Sequence, residues 1–252
     1  MSRVREGRRW SNASTRVSVL VAVLGAIDLL FFALMWDMDA AVSGVELPVL
    51  LLALGFAVAE WRVIHVQFRA QASSFSLLEI PLVIGLLYVS PRLLMAEAMV
   101  GIIFGLVLAR KQSVIKLLFN VVNIGFYCGV SSLILHVFID SGDLNRLAWL
   151  AVFLATAVGS TLSVGSIIGA ITLTEGPPDK AKIVELVSFS LVVGMANTAL
   201  GLVAAMLDGF YVAGFFSALF GALIVSLVST VASWTVGPDG RYEILIVERR
   251  QP

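Results

Sequence analysis

Long apolar runs, separated by short polar breaks, recur along the 252-residue chain. Eight can be marked, over roughly 17–36, 47–66, 76–90, 92–109, 113–138, 146–173, 183–207 and 211–236. A helix crossing the ~30 Å hydrocarbon core of a bilayer needs about 20 predominantly apolar residues, and most of these runs supply them. The third is short, so the pattern predicts a tilted, broken or partly re-entrant helix there, separated tightly from the fourth by Pro91. The fold class that follows is an all-α, polytopic membrane helical bundle of about eight transmembrane helices. A basic tail over 1–16 precedes the bundle over 17–236, and a second tail covers 237–252.

Composition strengthens this reading. The chain is 59% hydrophobic and 13% charged, against about 45–50% and about 25% in soluble domains. One soluble core cannot bury that excess. The net charge is zero, so the placement of charge is the informative quantity. With the N-terminus inside, the inner segments hold 15 lysines and arginines and the outer ones only Arg92 and Arg146. That bias alternates through all eight runs and predicts both termini on the cytoplasmic side of a cell inner membrane. The outer loops are acidic instead, with Asp37, Asp39, Glu46, Asp140, Asp143 and Asp208. The first run is too long for the apolar region of a cleaved signal peptide, so it reads as a retained helix.

Within the third run, Ser76 and Glu79 have the spacing of a capping box, Pro81 removes a backbone donor and Gly85 leaves a gap. This places Glu79 near the cytoplasmic edge at a helix start. Glu97 reads as an interfacial residue close to Arg92, whereas Asp28 lies mid-span, where a charge costs about 2.5–3.5 kcal/mol even on insertion scales. Asn120 and Asn123 lie in the fifth run, one turn before Tyr127, and Asn197 and Thr198 lie mid-span in the seventh. These amides either converge on a small polar ligand or join helix to helix. The pairs Gly101/Gly105, Gly125/Gly129 and Gly165/Gly169 predict close helix packing, internal or at a homodimer seam.

Several chemistries lack their signatures. Cys128 is the single cysteine, which excludes an intrachain disulfide and a cysteine-built zinc site. His65 and His136 sit near the ends of runs, without metal-ligand spacing. No phosphate-cradling lysine loop, HExxH or nucleophile elbow occurs. The basic residues line membrane edges without interleaved aromatics, which gives no support to nucleic-acid binding. The expectation is a chain without catalysis, metal or cofactor.

The runs Glu60-Trp61-Arg62-Val63-Ile64-His65-Val66-Gln67-Phe68-Arg69 and Phe75-Ser76-Leu77-Leu78-Glu79-Ile80-Pro81-Leu82 carry a resemblance, with Lys116-Leu117-Leu118-Phe119-Asn120 and Met195-Ala196-Asn197-Thr198-Ala199-Leu200. Over about residues 17–236 the chain resembles the N-terminal membrane region of bacterial, especially actinobacterial, cyclic-di-GMP signalling proteins. In that family such a region senses or anchors ahead of a GGDEF, EAL or HD-type output domain. The resemblance implies a sensor or anchor, and brings no established site residues. These 252 residues hold no such output domain, so cyclase or phosphodiesterase activity is not carried over. A weaker similarity is to the substrate-binding components of energy-coupling vitamin transporters, which have six spans.

The resulting expectation is a sensory or anchoring module in the lipid bilayer, acting on a cytoplasmic output domain or partner. A small molecule or lipid would bind between the third, fifth and seventh helices at Glu79, Asn120, Asn123 and Asn197. The alternative is the substrate-binding component of a small-molecule transporter.

Overall fold

The computed structural model describes residues 2–206, apart from 43–46, 49, 62–63, 69–70, 110–111 and 140–145. The eighth apolar run and the C-terminal tail lie outside the described residues. Among the described residues there are seven helices: α1 (Ser2–Leu34), α2 (Leu51–Trp61), α3 (Glu79–Tyr88), α4 (Pro91–Ala109), α5 (Val114–Phe138), α6 (Arg146–Glu175) and α7 (Lys180–Met206). Five of the helices, α1 and α4 to α7, are long and apolar enough to cross a membrane.

The second run departs from expectation. Its helix stops at Trp61 and gives way to β1 (Ile64–Phe68), which pairs antiparallel with β2 (Gln71–Phe75) in the register Ile64↔Phe75 to Phe68↔Gln71. Ile64-His65-Val66-Gln67-Phe68 alternates apolar and polar residues, the period of a strand. At 11 and 10 residues, α2 and α3 are each about 15–16 Å long, roughly half a bilayer crossing. A short hairpin therefore joins two half-length helices in place of two full spans.

The start of α2 shows how such a short helix is held. The N–H of Leu51 reaches Pro48 O at 3.0 Å and that of Leu54 reaches Leu50 O at 3.0 Å. Those of Leu52 and Ala53 reach Glu97 Oε2 at 3.1 and 3.3 Å, and that of Leu50 reaches Glu97 Oε1 at 3.3 Å. All four donors that a helix start leaves unpaired are thus accounted for. Glu97, only 4% exposed, is consequently a buried cap contributed by α4, not an interfacial partner of Arg92. The Arg92 guanidinium instead lies 4.9 Å from the centre of the Trp36 ring.

The other half-length helix occupies the centre. Pro81, Leu82, Val83, Gly85, Leu86 and Leu87 of α3 are buried against a core that includes Phe56, Leu94, Met95, Leu135 and Val152. Two of its C-terminal carbonyls are also paired, Gly85 O by the Val89 N–H at 3.0 Å and Leu87 O by the Val42 N–H at 2.8 Å. Of the long helices, α4 to α7 pack on it, and α1 and α4 to α7 turn Leu29, Val107, Leu108, Val137, Leu150, Val192 and Val203 outward. Apolar side chains exposed on so many helices suggest a lipid environment.

Two of the three glycine pairs serve internal packing. A Cβ on Gly101 would lie 2.4 Å from Ala53 O, and one on Gly105 2.8 Å from Ala57 O, so the pair seats α2 on α4. Gly125 and Gly129 seat α1 on α5, against Asp28 and Phe31, and Phe31 stacks on Phe126 with ring centres 6.1 Å apart. Gly165 and Gly169 meet no atom within 4 Å among the described residues.

Candidate polar site between α3, α5, α6 and α7

The segment entering α3 does not form the expected capping box. Leu78 is the N-cap residue, with helical φ −60° and ψ −29° and no side-chain cap hydrogen bond. Ser76 Oγ donates instead to Ala59 O, at the end of α2, at 2.9 Å. That bond ties the segment leaving the hairpin back to the helix before it. Glu79 is left free to face across the bundle.

There it meets Asn197 of α7. Asn197 Nδ2 donates to Glu79 Oε2 at 2.9 Å and to Ser76 O at 3.0 Å. One amide thus satisfies both the carboxylate and a carbonyl of the irregular stretch preceding α3. Such pairing is what allows non-helical backbone inside a membrane protein. Further along, Tyr88 Oη donates to Ala205 O at 2.9 Å and Gly201 packs on Val83. α3 and the C-terminal part of α7 therefore run side by side in the same direction. Asn197 lies well inside α7, so Glu79 sits among interior residues and not at the edge.

α5 and α6 complete the surroundings. The Tyr127 hydroxyl donates to Thr156 O at 3.4 Å and lies in the neighbourhood of Glu79 and Ser160. Ser160 Oγ is 2.9 Å from Ser190 Oγ of α7. Thr198 Oγ1 donates to Thr156 Oγ1 at 3.1 Å, and Ser131 Oγ donates to Ala155 O at 3.1 Å. Gly159 has no room for a side chain, since a Cβ would lie 2.7 Å from the Tyr127 ring. A Cβ on Gly194 would lie 3.5 Å from Glu79 Oε1 and 3.8 Å from Ser160 Oγ, so those two oxygens border one point on α7. The hydrogen-bond partner of the Glu79 carboxylate is the Asn197 amide, and it has no cationic partner among the described residues.

The other two expected ligand residues are placed elsewhere. Asn123 Nδ2 donates to Ser163 Oγ at 2.8 Å, and its Oδ1 accepts from Ser166 Oγ, so both ends of the amide bind α6. Asn120 Nδ2 donates to Gln112 Oε1 at 3.2 Å, just before its own helix. Glu79 and Asn197 are brought together; Asn123 and Asn120 join neither. The residues missing from the sequence reading are Thr156, Ser160, Ser190 and Gly194. Their signal was present as helical spacing: 156, 160 and 163 fall on one face of α6, and 190, 194 and 197 on one face of α7.

Two further ionisable residues lie outside this cluster. Asp28 is 3% exposed, and neither carboxyl oxygen has a hydrogen-bond partner among the described residues. It lies against Gly125 beside the methyl of Met99. His136 has its ring nitrogens 2.9 Å from Ser132 O and 3.0 Å from Asp39 O, bridging the end of α5 to the segment after α1. Among the described residues, no three His, Cys, Asp or Glu side chains group as metal ligands would.

No family model matches the chain, and neither does a curated protein or a solved structure. The five membrane-length helices among the described residues fit a multi-pass membrane protein, in which the part-buried Glu79–Asn197 contact joins α3 to α7.

Proposed function

We propose that this chain is a sensory or anchoring module of the cytoplasmic membrane, with both ends inside and a cytoplasmic output domain or partner downstream. Its responsive element is the junction of α3 with α7. The observation that carries this reading is the double hydrogen bond from Asn197 to Glu79 and to the Ser76 carbonyl. The Asn197 amide is what ties the start of α3 to α7, so a ligand that competes for it loosens that end of α3. The response is bounded by the ligand's differential affinity for the two arrangements. Asn123 and Asn120, engaged elsewhere, serve helix packing.

The test is a thermal-shift screen of the full chain in lipid nanodiscs against small polar molecules and lipid headgroups. Stabilisation by a compound in the unmodified chain, lost in Glu79→Ala and Asn197→Ala but kept in Asn120→Ala, is the expected result. Stabilisation that survives both of the first two substitutions overturns the site.

One observation favours a second reading. A broken helix whose N-terminus meets polar groups inside the bundle is an arrangement that transporters use for substrate. A transporter component would accumulate substrate in vesicles supplied with a partner ATPase, which a sensor would not.

A further inference from the structure

We infer that Asp28 is a proton-binding site inside the membrane, and that its proton seats α1 on α5. The site is separate from the α3–α7 junction and does not depend on the reading of that junction.

The seam between the two helices carries the inference. α1 and α5 run in the same direction, with Gly25 opposite Val122, Asp28 opposite Gly125 and Phe31 opposite Gly129. A Cβ on Gly125 would lie 2.8 Å from Asp28 Oδ2, so the carboxyl is pressed onto bare helix backbone, with the Met99 methyl beside it. A helical glycine and a thioether methyl offer it no free donor. At 3% exposure, with neither oxygen hydrogen-bonded among the described residues, the group has given up water without gaining a partner. A carboxylate in such a place takes up a proton and becomes neutral.

No opposite charge stands at that depth. Along the sequence, lysines and arginines lie between apolar runs or near their ends, and the run over 211–236 holds none. Arg16 of α1 is twelve residues from Asp28, about 18 Å along the helix. Lys116 of α5 is nine residues from Gly125, about 14 Å. The other ionisable groups of the neighbouring helices are engaged or distant. On α5, Cys128 is fully buried next to the seam, Tyr127 donates to Thr156 O, and His136 bridges Ser132 O and Asp39 O. On α4, Glu97 binds the start of α2 and Arg92 lies over Trp36. Between its ends, α6 carries no ionisable side chain over 147–174.

The proton matters to the fold because α1 has few neighbours. It packs on α5 and α6, while Val19, Val23, Leu29, Leu30 and Leu34 are exposed toward the lipid. Ionising Asp28 draws water into the seam and lifts α1 from Gly125 and Gly129, whose bare surfaces permit the close approach. The binding step is a simple protonation: hydronium gives one proton to a carboxylate oxygen and leaves as water, and no electron is transferred.

The experiment is infrared spectroscopy of the full chain in lipid nanodiscs, reading the carbonyl stretch of protonated carboxylic acids at neutral pH. The unmodified chain minus Asp28→Asn should leave one such band. Asparagine has the shape of the acid and no charge, so this variant keeps the seat. Melting in the same nanodiscs gives the second readout. An acid protonated in the folded chain and ionised in the unfolded one makes the folded state hold the extra proton. Stability then falls as pH rises above the ordinary carboxylate range, by up to about tenfold in the folded-to-unfolded ratio per pH unit. That dependence should be present in the unmodified chain and missing in Asp28→Asn. Absence of the band at neutral pH overturns the proposal. Equal pH dependence in the two proteins overturns it too, because the proton would then not be holding α1. Stabilisation of the unmodified chain alone by sodium chloride over choline chloride, at fixed pH, assigns the carboxylate to a metal cation and has the same consequence.

Discussion

Glu97 of α4 caps a helix other than its own: its Oε2 accepts the Leu52 N–H at 3.1 Å, 45 residues away in the chain. The carboxylate sits at the positive end of α2, where a negative charge is favoured, and couples a half-length helix to a full-length one. Leaving a buried donor unpaired costs about 1–3 kcal/mol. Glu97→Ala strands the N–H groups of Leu52 and Ala53, so it should destabilise by at least about 2 kcal/mol. Glu97→Gln keeps an acceptor oxygen and should lose less. Thermal unfolding in detergent checks the order; equal losses in the two variants would mean that charge, not acceptance, is what matters.

Asp28 should behave in the opposite sense. Both of its oxygens are buried without partners among the described residues, so truncation removes an unsatisfied group and strands no described donor. Asp28→Ala is expected to be neutral or to stabilise by up to about 1–3 kcal/mol, where truncation of an ordinary core residue would destabilise. A large loss of melting temperature would contradict this.

The glycine pairs differ in what surrounds them. In Gly101→Ala the new methyl would sit 2.4 Å from Ala53 O and 2.6 Å from Phe56 Cβ, and overpacking of that kind costs about 1–3 kcal/mol. Gly165→Ala meets nothing within 4 Å among the described residues and should gain about 0.5–1 kcal/mol from helix propensity. Paired melts of the two variants compare them directly.

At Asn197 the chemistry of the replacement decides the outcome. Asn197→Ala deletes the donor to Glu79 and Ser76. Asn197→Asp preserves the shape but sets a second carboxyl against Glu79 Oε2, adding like-charge repulsion to the lost donor. The aspartate variant should therefore be the less stable at neutral pH by melting temperature. The reverse order would show that Glu79 is neutral there.

Leu50 carries a positive φ of 71° and an exposed side chain. A left-handed backbone strains any residue with a Cβ by about 1–2 kcal/mol. Leu50→Gly should thus recover part of that strain, less the entropy that glycine adds to the unfolded chain, and raise the melting temperature slightly. A lowered one would indicate that the Leu50 side chain contributes contacts.

Much of the framework was legible from the chain itself. Apolar length alone determined that α1, α4, α5, α6 and α7 are membrane-length helices, because a helix satisfies its own backbone and needs only apolar residues to enter lipid. Glycine spacing gave the packing faces at Gly101/Gly105 and Gly125/Gly129, since closeness of approach is a property of side-chain size. Glu79 and Asn197 stood out as polar residues among apolar ones, yet the 118 residues between them hide their hydrogen bond from any local pattern. Only the tertiary structure decided that Ser76 binds Ala59 in place of capping α3, that Glu97 caps α2, and that Asn123 and Asn120 turn away from Glu79. In each case a polar side chain had a choice between local and distant partners. Sequence fixes which groups must be paired, while the packing of helices far apart in the chain fixes with whom.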